Sequence, residues 1–127
     1  MARMKQADYA KLLGFRADLR RFLRWSEEQA RAAGLTPAQH QLLLAVKGHP
    51  GRSGPTIGEV AEYLSSHHHS VVELVDRAER AGYVERSRDG ADHRVIHVWL
   101  TTAGERLIRK LSEAHLEELR RLGSLMG

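Results

Sequence analysis

Residues 56–83 read TIGEVAEYLSSHHHSVVELVDRAERAGY, and the rest of the chain takes its meaning from this stretch. Thr56-Ile57-Gly58-Glu59 has the spacing of a capping box. The threonine hydroxyl can satisfy an amide at the third helical position, and the glutamate can reach back to the amide of the cap. Ile57, Val60, Ala61 and Leu64 then fall on one face of a short helix, which Ser65-Ser66 interrupts. A second helix is predicted from about His67 to Ala81, with Val71, Leu74, Val75 and Ala78 as its buried stripe. Gly82 supplies the stop, and Tyr83 stands where a Schellman motif makes its apolar contact. Two helices joined by a short polar turn make a helix-turn-helix candidate.

Downstream, the apolar period changes from about 3.6 residues to about 2. Ile96, Val98 and Leu100 alternate with Val95, His97 and Trp99. Val84–Arg88 can pair with them across Asp89-Gly90-Ala91-Asp92, a strong turn signal. A last helix opens at Thr101 or Thr102 and carries Leu107, Ile108, Leu111, Ala114, Leu119 and Leu122. Upstream, Thr36-Pro37-Ala38-Gln39 is another capping box, with proline at the first helical position, where a missing amide costs nothing. The apolar run Leu42–Val46 follows it, and Gly48 to Pro55 reads as an ordinary loop. Residues 5–33 read as one long helix, closed by Gly34, with Leu12, Phe15, Leu19, Phe22 and Ser26 on one stripe. Arg16, Arg20 and Arg24 repeat every four residues on a neighbouring face.

The order of elements is that of a winged helix-turn-helix, a mainly α (α+β) fold. The first and last helices exceed what a minimal winged helix needs, and one small core cannot absorb both of their stripes. N- and C-terminal dimerisation helices, and hence a homodimer, are the natural use for them. The expectation is one domain over 1–127. Within it, 1–34 and 102–127 form a helical dimerisation region and 35–101 a DNA-binding lobe. The chain has no cysteine, which removes disulfides, thiolate metal sites and thiol redox switches together. No apolar run approaches the ~20 residues that span a bilayer. The N-terminal MARMKQADYAKLL lacks the apolar core of a secretory signal, so a cytoplasmic protein without a membrane partner is expected. There is no P-loop, Gly-x-Ser-x-Gly, His-Glu-x-x-His or dinucleotide fingerprint. No catalytic residue, cofactor or enzyme activity is expected.

From Leu35 to Leu107 the sequence resembles the MarR family of bacterial transcription regulators. The resemblance lies in Leu35-Thr36-Pro37-Ala38-Gln39, Thr56-Ile57-Gly58-Glu59-Val60-Ala61 and Leu74-Val75-Asp76-Arg77. It continues in Gly82-Tyr83-Val84-Glu85-Arg86, Asp92-His93-Arg94 and Leu100-Thr101-Thr102-Ala103-Gly104. Each tract alone is weak; their order and spacing are specific. The resemblance implies a homodimer on a pseudo-palindromic double-stranded DNA operator, typically a repressor released by a small aromatic or anionic effector. The alternative is a winged-helix interaction module that has lost specific DNA binding.

A recognition helix presents its N-terminal residues to base edges in the major groove, while a wing reaches phosphates or the minor groove. With about 100° per residue, the face opposite the buried stripe carries His69, Glu73, Asp76 and Arg80, flanked by Ser70, Val72 and Arg77. Ser70 can bond a base or phosphate, Val72 can touch a thymine methyl, and Arg77 can pair with guanine or phosphate. Glu73 can accept from cytosine or brace Arg77 four residues on. His68 and His69 suit neutral hydrogen bonding in the groove, with His67 tilted toward the core. Three adjacent helical histidines fan apart, so the triplet is not expected to hold a metal. In the wing, the resemblance places Arg94 near the minor groove and lets Asp92 brace the hairpin. Arg86 and Arg88 are further phosphate contacts. Phe15, Arg16, Arg20 and Trp25 could stack on and charge-pair with an aromatic acid in a pocket between the dimerisation helices and the reading lobe.

The formal charge of +4 does not sit on the reader. Residues 1–31 hold eight Lys/Arg against four Asp/Glu, whereas residues 64–97 hold five arginines against six acids, with five histidines. The DNA reading therefore rests on the order of elements and on the resemblance, not on the basic pI.

Overall fold

Both capping boxes form as their spacing dictates. Thr36 Oγ1 accepts from the Gln39 amide at 3.1 Å, and Gln39 Oε1 accepts from the Thr36 amide at 3.0 Å. Thr56 and Glu59 repeat the pair at 3.1 and 3.0 Å. In the computed structural model, which describes residues 3–88 and 94–126, these caps open α2 (Pro37–Gly48) and α3 (Ile57–Leu64). They follow α1 (Gln6–Ala32) and precede α4 (His68–Arg80), β1 (Val84–Arg88), β2 (Ile96–Leu100) and α5 (Thr102–Met126). The chain is thus a mainly helical winged helix-turn-helix.

The turns that aim α4 are built from backbone hydrogen bonds. α3 ends on Ser65 in the left-handed region (φ 50°), where Ala61 O accepts the Ser66 amide at 3.0 Å. α4 ends on a Schellman motif: Gly82 (φ 85°) donates to Glu79 O and Tyr83 to Ala78 O, both at 3.0 Å. Glycine takes that conformation without steric cost; Ser65 takes it at some expense.

The core lies where α2 meets all its neighbours. Leu42 and Leu43 of α2, Val60 of α3, Val71 and Val75 of α4, Val84, Val98 and Ile108 of α5 are all essentially inaccessible. Each such aliphatic side chain contributes about 1.5–3 kcal/mol by leaving water. β1 and β2 pair antiparallel, with Val84 opposite Leu100, Arg86 opposite Val98 and Arg88 opposite Ile96.

The loop before α3 is more than an ordinary connection. Pro55 O accepts the Val98 amide at 2.9 Å, Thr56 bridges to His97, and His97 Nδ1 donates to Gly54 O at 2.7 Å. The end of the loop therefore pairs along β2. This pairing joins residues some forty positions apart, so no local pattern announces it.

Of the two possible openings of α5, Thr101 is the cap. Its hydroxyl accepts from the Gly104 amide at 3.1 Å and donates to Gly82 O at 2.6 Å. A Cβ at Gly104 would overlap the Tyr83 carbonyl oxygen, so glycine lets the first turn of α5 lie against the end of α4.

α1 buries only Ser26 and Ala30. Tyr9, Leu12, Leu13, Phe15, Leu19 and Leu23 remain exposed, as do Leu116 and Leu119 of α5. The apolar stripe of the first helix is thus absorbed within the chain only at its C-terminal end. No helix among the described residues is long and apolar enough to cross a membrane.

Candidate nucleic-acid interface and the adjoining cleft

The outward face of α4 carries His68, His69, Ser70, Glu73 and Arg77, all exposed. The helix starts without a side-chain cap, because His67 makes none, so its first-turn amides stay available to an anion. His67 is exposed rather than turned to the core, and its ring stacks on that of His69 with centroids 6.0 Å apart. Among the described residues no group of three or more His, Asp or Glu is arranged to hold a metal ion.

Two expected contacts look different in three dimensions. Val72 is half-buried and packs against the core, which limits its reach toward a thymine methyl. Glu73 and Arg77 form no ion pair among the described residues, so the bracing pair is not made and each side chain keeps its own hydrogen-bonding capacity.

Arg86 departs furthest from expectation. Its Nη1 lies 2.7 Å from Asp76 Oδ1 and its Nη2 2.9 Å from Glu79 Oε1, while its amide donates to Glu79 Oε2 at 3.1 Å. The guanidinium is committed to two carboxylates of α4 rather than presented to a phosphate. It ties the first strand of the wing to the recognition helix. The same contacts neutralise two of the acids that make the reader formally negative. Arg88 at the end of β1 and Arg94 before β2 are both exposed. Asp92 lies outside the described residues.

A second feature adjoins this lobe. A cleft of about 420 Å³ opens between α1, α2 and α5. Phe22, Leu23, Leu44, Leu116 and Leu119 form its apolar walls, and Ser26, His40, Gln41, Ser112 and His115 its polar ones. His115 Nδ1 is 2.7 Å from Leu111 O, and a carbonyl only accepts, so that nitrogen holds the proton. His115 Nε2 is then the acceptor for the Ser26 hydroxyl at 2.6 Å. The His40 ring sits 4.7 Å from that of His115 and is 3% exposed. Burial, reinforced by His115, lowers its pKa and keeps it neutral.

The expected ligand set does not assemble at this cleft. Phe15, Arg16 and Arg20 lie on exposed turns of α1 and are absent from its lining. The Trp25 ring packs against His115 at a tilt of 54°, centroids 4.8 Å apart, without lining the cleft itself. The residues that do build it include His40 and His115, which sequence reading passed over. Each interrupts an apolar face at helical spacing, His115 four residues after Leu111, and that spacing was the available signal.

A helix-turn-helix with an exposed second helix, flanked by a two-stranded wing, defines a winged helix-turn-helix protein. The MarR family profile matches residues 33–95, about half the chain. The transcriptional regulator HosA of Escherichia coli O157:H7 is 33% identical over 85 residues, covering 67% of this chain and 58% of HosA. The chain thus spans little more than half the length of that relative. The solved structure of a MarR family protein from Bacillus stearothermophilus is similar with TM-score 0.77 and 25% identity, over 94% of this chain and 82% of that one. The S. aureus MepR–DNA complex is similar with TM-score 0.76 and 21% identity, over 98% and 87%. The chain belongs to the MarR family, whose members are transcriptional regulators and not enzymes.

Proposed function

We propose that the protein is a DNA-binding transcriptional regulator that acts as a homodimer on a pseudo-palindromic operator and represses by occupying it. The observation that carries this reading is the exposed α4 face of His68, His69, Ser70, Glu73 and Arg77 beside a wing bearing Arg88 and Arg94. These groups suit base edges and phosphates, and the uncapped start of α4 suits a phosphate as well. Residues 35–101 form the reading lobe, and residues 1–34 and 102–127 the dimerisation region. The exposed apolar row of α1, with Leu116 and Leu119 of α5, supports a self-complementary helical interface. The resemblance in fold to MepR, solved on DNA, supports the same mode of docking.

A small effector would act through the cleft. α1 and α5 belong to the dimerisation region and α2 to the lobe, so an occupant touches both. It biases the angle between them, and with it the separation of the two α4 helices. Fluorescence anisotropy against DNA upstream of the protein's own gene, at several salt concentrations, tests the reading. Saturable binding that weakens with salt, and a footprint of two half-sites about one helical turn apart, are expected. A dimer without sequence-specific binding would identify an interaction module instead. A single unsymmetrical half-site would contradict the dimer.

A further inference from the structure

We infer that Glu73 reads a cytosine in each half-site of the operator, and that it sets the selectivity of the α4 face at the expense of its affinity. The inference rests on the proposed DNA reading of α4, and it names the base edge that this acid accepts.

The argument starts from which acids of the recognition helix are already spent. α4 carries three, Glu73, Asp76 and Glu79. Arg86 holds Asp76 at 2.7 Å and Glu79 at 2.9 Å, which commits both to the wing. Glu73 is left without a hydrogen bond or an ion pair among the described residues. It is exposed and stands opposite the buried stripe of Val71, Val75 and Ala78. His69 and Arg77 lie one turn before it and one turn after. The fold gains nothing from the charge: Glu73 sits beyond the first turn of α4, where neither a cap nor the helix dipole favours a carboxylate.

The chemistry of a carboxylate selects among base edges. When ionised it only accepts hydrogen bonds. In the major groove guanine and thymine present acceptors and no donor, and adenine sets its N7 acceptor beside its amino donor. Cytosine alone presents a donor, its N4 amino group, with no acceptor of its own. A carboxylate over these edges is bonded by cytosine and disfavoured by the other three. The phosphates oppose the same charge on any duplex, because binding is driven by the cations that neutralise them. Glu73 therefore subtracts from affinity everywhere and recovers the loss only where a cytosine faces it. Residues 64–97, with five arginines against six acids, have little basic excess to mask that selection.

The test is motif selection from random duplexes by the full-length protein, followed by anisotropy on the selected site. Wild type, Glu73→Gln and Glu73→Ala are compared. Glu73 has no partner in the fold, so both variants should keep the wild-type circular dichroism spectrum and urea midpoint. The wild type should enrich a symmetrical motif with a cytosine in each half-site that Glu73→Ala no longer requires. Replacing that C·G pair by T·A should cost the wild type at least about fivefold in affinity and the alanine variant less than about twofold. Glu73→Gln, whose amide pairs with N6 and N7 of adenine, should enrich adenine at the same position. On an unrelated duplex at low salt both variants should bind a few-fold tighter than the wild type. The same bases selected by all three proteins would overturn the inference. So would a uniform loss of affinity in Glu73→Ala on every duplex. A wild type that enriches no motif removes the regulator reading and the inference together; a motif that ignores residue 73 removes the inference alone.

Discussion

Arg86 offers the most discriminating test of how the reading lobe is built. Arg86→Gln removes one guanidinium and strands Asp76 and Glu79 on α4, while the Arg86 amide keeps its bond to Glu79. The three side chains are 32%, 39% and 36% exposed, so solvent screens the pairs and each is worth about 0.5–1 kcal/mol. The variant should therefore lose about 1–2 kcal/mol of stability, read as a shifted urea midpoint with an unchanged slope. Operator affinity should fall by about five- to tenfold, because the wing loses its tie to α4 and two carboxylates are uncovered beside the DNA. Two measurements separate a strut from a phosphate contact. A phosphate contact carries about 0.9 of the slope of log affinity against log salt for each phosphate neutralised. Its loss would flatten the slope by that amount per subunit. A strut leaves the slope near its wild-type value. The strut also predicts rescue, since Asp76→Asn and Glu79→Gln added to Arg86→Gln remove the stranded charges and should restore most of the affinity. A flattened slope, unchanged stability and no rescue would refute the reasoning and return Arg86 to the DNA.

Arg94→Ala should weaken operator binding at least a few-fold by anisotropy while leaving the thermal midpoint in place; unchanged affinity would remove Arg94 from the wing contact. Gly104→Ala should destabilise the fold by about 2–3 kcal/mol in urea, because a Cβ there overlaps the Tyr83 carbonyl and the backbone must shift. A neutral result would show that α5 can slide away from α4 at no cost. The lowered pKa of His40 gives a pH dependence of defined sign. The unfolded chain binds more protons in the window between the folded pKa and the ordinary value of 6.5. This contribution to stability is complete above 6.5 and is lost as pH falls through the folded pKa. Thermal midpoints measured from about pH 7.5 to about pH 5 should drop less steeply in His40→Gln than in the wild type.

The cleft and the reader differ in how far local pattern describes them. On α4, the exposed identities of His68, His69, Ser70, Glu73 and Arg77 follow from helical periodicity once the buried stripe is known. A side chain opposite Val71, Val75 and Ala78 has nowhere to point but outward. The cleft needs α1, α2 and α5 placed together, and no residue within one of those helices reports what the other two bring. The arginines of α1 looked suited to an anion because their spacing is regular. The packing leaves them on exposed turns and turns Ser26 and Phe22 inward instead.

The sequence by itself determined every element and nearly every boundary. The signals were short-range: two capping boxes, a Schellman glycine, and a change of apolar period, each read from residues within a turn or two. It also showed that the basic excess lies on the first helix and not on the reader. Only the tertiary structure decided what the polar side chains do once buried or bridged. Arg86 is held by Asp76 and Glu79 of α4, the end of the loop pairs with β2, and His115 binds Ser26 from 89 positions away. The physical reason is the range of the interaction. Helix and strand formation depends on neighbours along the chain. An ion pair or a buried imidazole finds its partner only after hydrophobic burial has brought distant segments together.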